Sequence, residues 1–195
     1  MFINPTVAIN EGWITGNITD DNIQPNAIDF TLDRLFTIWE ENIFRIDEDS
    51  KDMRGGVEVH ANEDPRYQKN YWRLSPHTSY DGMSNFFVKV PEGVACMMII
   101  RSTFNRNGIF ITSGLYDSGY EGHVGFAVHN NSGIALVAPG TRIGQLIFVE
   151  SDHAKLYAGG YNHEEGTHHS EAKSKSPYDL SSDKQPTNKQ RLDTY

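Results

Sequence analysis

The sequence predicts a mainly β fold, an antiparallel barrel or distorted jelly roll with few short helices. Three observations predict it. From Phe86 onward, short apolar or alternating runs recur at close spacing, at 86–90, 94–100, 122–128, 134–137 and 143–149. Gly- and Pro-containing turns separate them, such as Pro91-Glu92-Gly93 and Pro139-Gly140. Helical periodicity is confined to short stretches. Closely spaced short strands with such turns are the signature of a sandwich or barrel.

Along the chain, Asn4-Pro5 opens a short helix that Gly12 can end, with Asn4 as cap and Pro5 in the first turn. Ala27 to Leu32 alternates apolar and polar residues as a half-buried strand does, and Leu35 to Trp39 continues the β-like composition. Residues 45–85 are polar and irregular, with Gly55-Gly56, Asp81-Gly82, Trp72 and several tyrosines. They read as an insertion or loop region with short strands. Ser102 to Gly108 is a short helix with Ser102 as cap and Gly108 after its end. Pro139-Gly140 is a type II turn joining 134–137 to 143–149 as a hairpin. Residues 1–163 are expected to form one domain. Segment 164–195, rich in Ser, Lys, Asp and His, reads as a mobile tail.

The net charge of -9 argues against a general nucleic-acid binder but leaves room for a local anion site. The single cysteine, Cys96, lies in the apolar run 94–100 and reads as a buried small hydrophobe. One cysteine allows no internal disulfide, and no apolar run has the length of a membrane span. A cytoplasmic protein without membrane contact is expected.

Two groups of residues carry chemistry. Arg101, Ser102, Thr103 and Arg106 combine hydroxyls, guanidiniums and free N–H groups at a helix start, a set suited to a phosphate chain. Ser113-Gly114-Leu115-Tyr116-Asp117-Ser118-Gly119-Tyr120 follows within one strand and turn. Its glycines permit close backbone approach, Asp117 offers a carboxylate to water or to a sugar hydroxyl, and Tyr120 offers a ring for stacking. Each feature alone also fits an ordinary capped helix or turn. The tract with His163, His168 and His169 offers metal ligands by type, but solvated histidines suit its polar context better.

Taken in order, these segments resemble the dUTPase and dCTP deaminase superfamily. Arg101 to Gly108 is similar to the Arg-Ser-Ser-x-x-Arg-x-Gly motif of dCTP deaminases, and Asp117-x-x-Tyr120-x-Gly122 to the Asp-x-Asp-Tyr-x-Gly motif of dUTPases. Gly140 to Leu146 is similar to Gly-x-Arg-Ile-Ala-Gln-Leu, Ile23 to Leu32 to the early deaminase strand, and Tyr157 to Tyr161 to Tyr-x-Gly-Lys-Tyr. Gly160 stands at the lysine of that last motif. The resemblance implies a homotrimer of distorted jelly-roll subunits with shared active sites and a pyrimidine deoxynucleoside triphosphate as substrate. It implies triphosphate contacts from Ser102, Arg106, Gln145 and the Tyr157 region, and base reading by the backbone near Ser113, Gly114 and Tyr116. Tyr120 would pack under the deoxyribose, and Asp117 would activate water. Mg2+ would be held mainly through the triphosphate.

The deaminase branch uses a glutamate in the strand after the Asp motif. Ala127 occupies that place, within Gly122 to Asn130, a stretch similar to the apolar dUTPase form. Alanine cannot carry a proton between water and an amine. The expected reaction is therefore hydrolysis of dUTP to dUMP and diphosphate. The alternatives are dCTP deamination, alone or coupled to that hydrolysis, and a catalytically reduced nucleotide-binding module.

Overall fold

A computed structural model describes residues 1–41, 43–46, 51–152 and 155–158. In chain order the elements are α1 (Pro5–Asn10), β1 (Ile14–Gly16), β2 (Ile28–Thr37), β3 (Arg45–Ile46), β4 (Lys51–Asp52), β5 (Asn62–Asp64), β6 (Lys69–Leu74), β7 (Thr78–Lys89), β8 (Val94–Ile100), α2 (Ser102–Arg106), β9 (Ile109–Thr112), β10 (Glu121–Asn130), β11 (Ala135–Val137) and β12 (Arg142–Glu150). A short 3-10 turn, Asp20–Asn22, precedes β2. The fold is mainly β, as the sequence predicts. The expected tail 164–195, Gly160, and the histidines at 163, 168 and 169 lie outside the described residues.

The main sheet runs in the order β8-β12-β2-β7-β10-β9, with β1 also paired to β7. Its pairings are antiparallel. The outer strands are brought together where Cys96 and Tyr116 form an antiparallel bridge, so the sheet curls into a nearly closed barrel. Closure leaves few open strand edges. A smaller sheet, β11-β6-β5, is built largely from the 45–85 region.

Alternation fixes which faces point inward. In β10, Val124, Phe126, Val128 and Asn130 are buried while His123, Gly125, Ala127 and His129 are only half-buried. Val124, Phe126 and Val128 meet Ile28, Phe30, Leu35, Phe86, Val88, Ile143, Leu146 and Phe148 in one core. Phe30 and Phe126 pack with ring centroids 5.3 Å apart. Two glycines make room for these rings. A Cβ on Gly144 would lie 2.4 Å from Phe30 Cζ, and one on Gly82 would lie 2.8 Å from Phe126 Cε2.

Local signals held at α1, where Asn4 Oδ1 accepts from the Thr6 N–H at 3.0 Å and Pro5 occupies the first turn. Three expectations require correction. The 45–85 region is not loop to its end, because β7 already begins at Thr78 and is the longest strand of the main sheet. Its polar residues Asp81 and Ser84 are buried, which masks the strand in the sequence. Residues 134–137 and 143–149 do not form a hairpin: β11 pairs with β6, while β12 pairs with β2 and β8. Gly140 still turns the chain with a φ of 80°, but it hands it from one sheet to the other. Finally, Arg101, not Ser102, is the N-cap residue of α2, and it provides no side-chain cap.

Candidate active site

The predicted residues fall into two groups at opposite ends of β8. The first surrounds the junction of β8 and α2. The Arg101 N–H donates to the Ile143 carbonyl at 3.1 Å, which ties the start of α2 to β12. Ser102, Thr103 and Arg106 are exposed on α2. Asn107 Nδ2 closes the turn onto the Thr103 carbonyl at 2.7 Å, and Gly108 leaves it with a φ of 78°.

Beneath this junction lies a carboxylate that the motifs did not single out. Asp29 on β2 is fully buried and stands across from Gln145 in the β2–β12 register. Gln145 Nε2 donates to Asp29 Oδ1 at 2.8 Å. Asp29 Oδ2 lies 3.4 Å from Arg101 NH1 and 3.3 Å from Arg142 NH1, both ion-pair distances. Neither contact has hydrogen-bond geometry, so Oδ2 is a buried oxygen held by charge alone. Arg142 also donates to the Asp21 carbonyl. The Asp29 carbonyl accepts from Asn22 Nδ2 at 2.8 Å, and Asn22 Oδ1 in turn accepts from the Thr19 N–H at 2.8 Å. Arg101, Arg142 and Gln145 thus converge on one carboxylate, with both guanidinium side chains about a third exposed (33% and 35%). Such a group can bind an anion through the guanidinium N–H bonds left over.

The second group lies between β9 and β10. Ser113 and Gly114 are exposed, and Ser113 Oγ donates to the Gly114 carbonyl at 2.8 Å. Asp117 is exposed at the head of a turn closed by the Tyr120 N–H donating to its carbonyl at 2.9 Å, with Gly119 at a φ of 88°. Ser118 is buried and anchors the turn, donating from Oγ to the Val94 carbonyl at 2.6 Å. The chain returns over the same turn, where the Tyr157 N–H donates to the Ser118 carbonyl at 2.7 Å. The rings of Tyr116, Tyr120 and Tyr157 pack in sequence, the first pair tilted and the second edge to face, with centroids 5.3 and 5.5 Å apart. Tyr120 donates its hydroxyl to the His123 carbonyl at 2.7 Å. Asp117 therefore projects from a stiff, tyrosine-braced support.

Tyr116 departs from the expected role in base reading. Its N–H and C=O both bond Cys96 at 2.9 Å, and its hydroxyl donates to the Gly125 carbonyl at 2.7 Å. Burial pushes its phenol pKa up, so it remains a neutral donor. Tyr116 is a core brace beside the site. Burial likewise raises the Cys96 thiol pKa.

Ala127 stands on β10 directly between Thr112 of β9 and Asp81 of β7. Asp117 and the Arg101 group are not neighbours within the chain. Tyr116 bridges Cys96, and the run from Cys96 to Arg101 is about 16 Å of strand at about 3.3 Å per residue.

No cluster of three or more His, Cys, Asp or Glu side chains suited to a metal is present among the described residues. The donor set fits a Mg2+ that arrives on a phosphate chain, since that ion takes one or two carboxylates together with substrate oxygens. Asp117 is an exposed carboxylate, whereas Asp29 is enclosed by cations. No helix among the described residues is long and apolar enough to cross a membrane.

Comparison with known proteins agrees with this architecture. The family described as dCTP deaminase-like matches residues 5–151. A protein of Halobacterium salinarum named probable deoxyuridine 5'-triphosphate nucleotidohydrolase is 31% identical over 149 residues, covering 75% of this chain and 87% of that one. A protein of Sulfurihydrogenibium sp. named dCTP deaminase, dUMP-forming, is 30% identical over 165 residues, covering 82% of this chain and 88% of that one. Among solved structures, the 2'-deoxycytidine 5'-triphosphate deaminase of Agrobacterium tumefaciens shares the fold with a TM-score of 0.58 at 12% identity. That match covers 77% of this chain and 48% of the other, so the chain spans about half the length of that structure. Sequence, barrel and motif order agree: the chain belongs to the dCTP deaminase-like family.

Proposed function

We propose that this protein hydrolyses dUTP to dUMP and diphosphate. One observation carries the choice of reaction. Asp117 is kept on an exposed, braced turn, while the strand position expected to hold a deaminase glutamate is Ala127. Both kinds of relative are similar to the chain, so dCTP deamination to dUMP is the second reading. It requires a proton carrier that Ala127 does not supply.

In the proposed step, Asp117 takes a proton from a water molecule as that water attacks the α-phosphorus. The bond from the α-phosphorus to the bridging oxygen breaks, and diphosphate leaves with that oxygen. Ser102, Thr103, Arg106, Arg101 and Gln145 hold the phosphate chain and oppose the charge that develops on it. Mg2+, when bound to the triphosphate, supplies further charge neutralisation there. Ser113 and Gly114 offer exposed backbone for the pyrimidine, Tyr120 a ring for the deoxyribose, and Tyr157 a closing contact.

The separation of the two groups along β8 supports a homotrimer with shared active sites. In such a trimer, Asp117 of one copy faces the Arg101–Arg106 segment of another. The buried lone Cys96 suits a reducing, cytoplasmic setting. The net charge of -9 keeps the reading to a small nucleotide rather than a nucleic acid.

The test is diphosphate release from dUTP with magnesium, wild type beside Asp117→Ala. Release by the wild type alone is expected. If wild type and variant are equally silent, the proposal fails.

A further inference from the structure

We propose that Asp29 is a positioning residue, a buried carboxylate that sets Arg101, Arg142 and Gln145 in one fixed arrangement for an oligophosphate. The inference rests on the reading of that group as the triphosphate cradle. Asp29 has no exposed surface and cannot itself touch a substrate. Its two oxygens divide the work. Oδ1 accepts from Gln145 Nε2 at 2.8 Å and so fixes which way the amide faces. Oδ2 lies 3.3–3.4 Å from one terminal nitrogen of each guanidinium and has no hydrogen-bond partner.

A buried carboxylate with one oxygen held only by charge between two cations is a poor choice for stability, because burying it is costly and that oxygen's hydrogen-bonding capacity is unused. Its effect on the cations is clear, however. It draws two like-charged guanidiniums to one point, although they would otherwise repel. Each is anchored at a single nitrogen, with the rest of its fork uncommitted to Asp29. The same Arg142 NH1 also donates to the Asp21 carbonyl, and the Arg101 N–H donates to the Ile143 carbonyl. Asp29 is therefore read as acting through these side chains, and Arg142 joins the cradle by the same geometry.

Replacing Asp29 by Asn removes a negative charge from beneath an anion site. If Asp29 acts only as a charge, Asp29→Asn binds anions more tightly. If it positions the arginines, Asp29→Asn binds them more weakly.

The experiment is calorimetric titration of the full chain with inorganic triphosphate, using wild type, Asp29→Asn, Arg101→Ala and the double variant. The expected result is affinity about tenfold lower for Asp29→Asn, the scale of one lost charge-assisted contact, and no further loss when it is added to Arg101→Ala. Equal or tighter binding by Asp29→Asn overturns the inference. So do independent, multiplying losses in the double variant, or a wild type that binds no triphosphate.

If Asp29→Asn does not fold, Arg101→Lys carries the test. Lysine keeps the charge but lacks the fork, so its affinity is expected to match that of Arg101→Ala. Wild-type affinity in Arg101→Lys overturns the inference. Triphosphate binding that depends on Asp29, in a protein that releases no diphosphate from dUTP, would remove the proposed reaction and leave this inference standing.

Discussion

Asp117 and Asp29 are both aspartates in short, ordinary contexts, and the fold gives them opposite surroundings. Asp117 is exposed on a braced turn; Asp29 is enclosed by two arginines and a glutamine. Asp117 was legible because its neighbours Gly119 and Tyr120 announce a turn and match a known spacing. Asp29 was not, because its partners at 101, 142 and 145 are remote in sequence and an alternating strand shows only that one face is polar. For Asp117→Asn we expect a fall in dUTP turnover of about 10²- to 10⁴-fold, the range for a lost general base. Thermal unfolding should change little, since an exposed substitution shifts stability by about 0.5 kcal/mol or less. A second prediction concerns pH. The hydrogen bond from Arg34 holds the Glu58 pKa below its ordinary value of 4.5. Its stabilisation is therefore complete above the unfolded pKa and is lost as pH falls through the lower folded pKa. The pair is about a third exposed (36% and 31%), so its contribution is screened. Glu58→Gln should cost about 0.5 kcal/mol at neutral pH, a difference that closes in acid denaturation profiles below pH 4.5. A gap that persists unchanged into acid would contradict this cause. Cys96, buried with a raised thiol pKa, should react with a thiol reagent only when the protein unfolds.

At the scale of elements, strands with a clear apolar phase were readable and their partners were not. β8 is a run of Val, Ala, Cys, Met and Ile, β10 places Val124, Phe126 and Val128 at every second position, and the structure forms both. β7 hides in the sequence because Asp81, Ser84 and Asn85 interrupt its pattern. Ser84 serves the backbone there: its Oγ donates to the Phe86 carbonyl and accepts from the Phe86 N–H, both at 3.1 Å. Asn85 Oδ1 likewise accepts from the Thr31 N–H at 2.9 Å. The expected hairpin across Pro139-Gly140 failed because a turn specifies a change of direction and not the strand met afterwards. β11 pairs with the small sheet through Leu74, Arg73 and Trp72 instead. Gly144 tests the packing of β12 on β2. Its missing Cβ leaves room for Phe30, and Gly144→Ala would also approach Ile111 Cδ1 to 2.8 Å. We expect this substitution to cost about 1–3 kcal/mol by overpacking, measured by chemical denaturation. A neutral result would show that Phe30 moves aside without strain.

For the whole molecule, the sequence supplied the components and the barrel distributed them. One chain carries the Arg101–Arg106 segment and Asp117 separated by most of the length of β8. In the proposed trimer, a site shared between copies would join them without distorting either support. This arrangement predicts complementation. Arg106→Ala and Asp117→Asn should each be inactive alone, yet unfolding and refolding them together should restore part of the activity, because some mixed sites combine an intact half from each. No recovery would place the complete site within one chain. Hydrolysis and deamination release different products, which separates the two reactions directly. The wild-type protein with magnesium is incubated separately with dUTP and with dCTP, and diphosphate and ammonia are scored independently. Diphosphate from dUTP with no ammonia from dCTP is the predicted result. Ammonia from dCTP would contradict the account and show that a group other than residue 127 carries the proton for deamination.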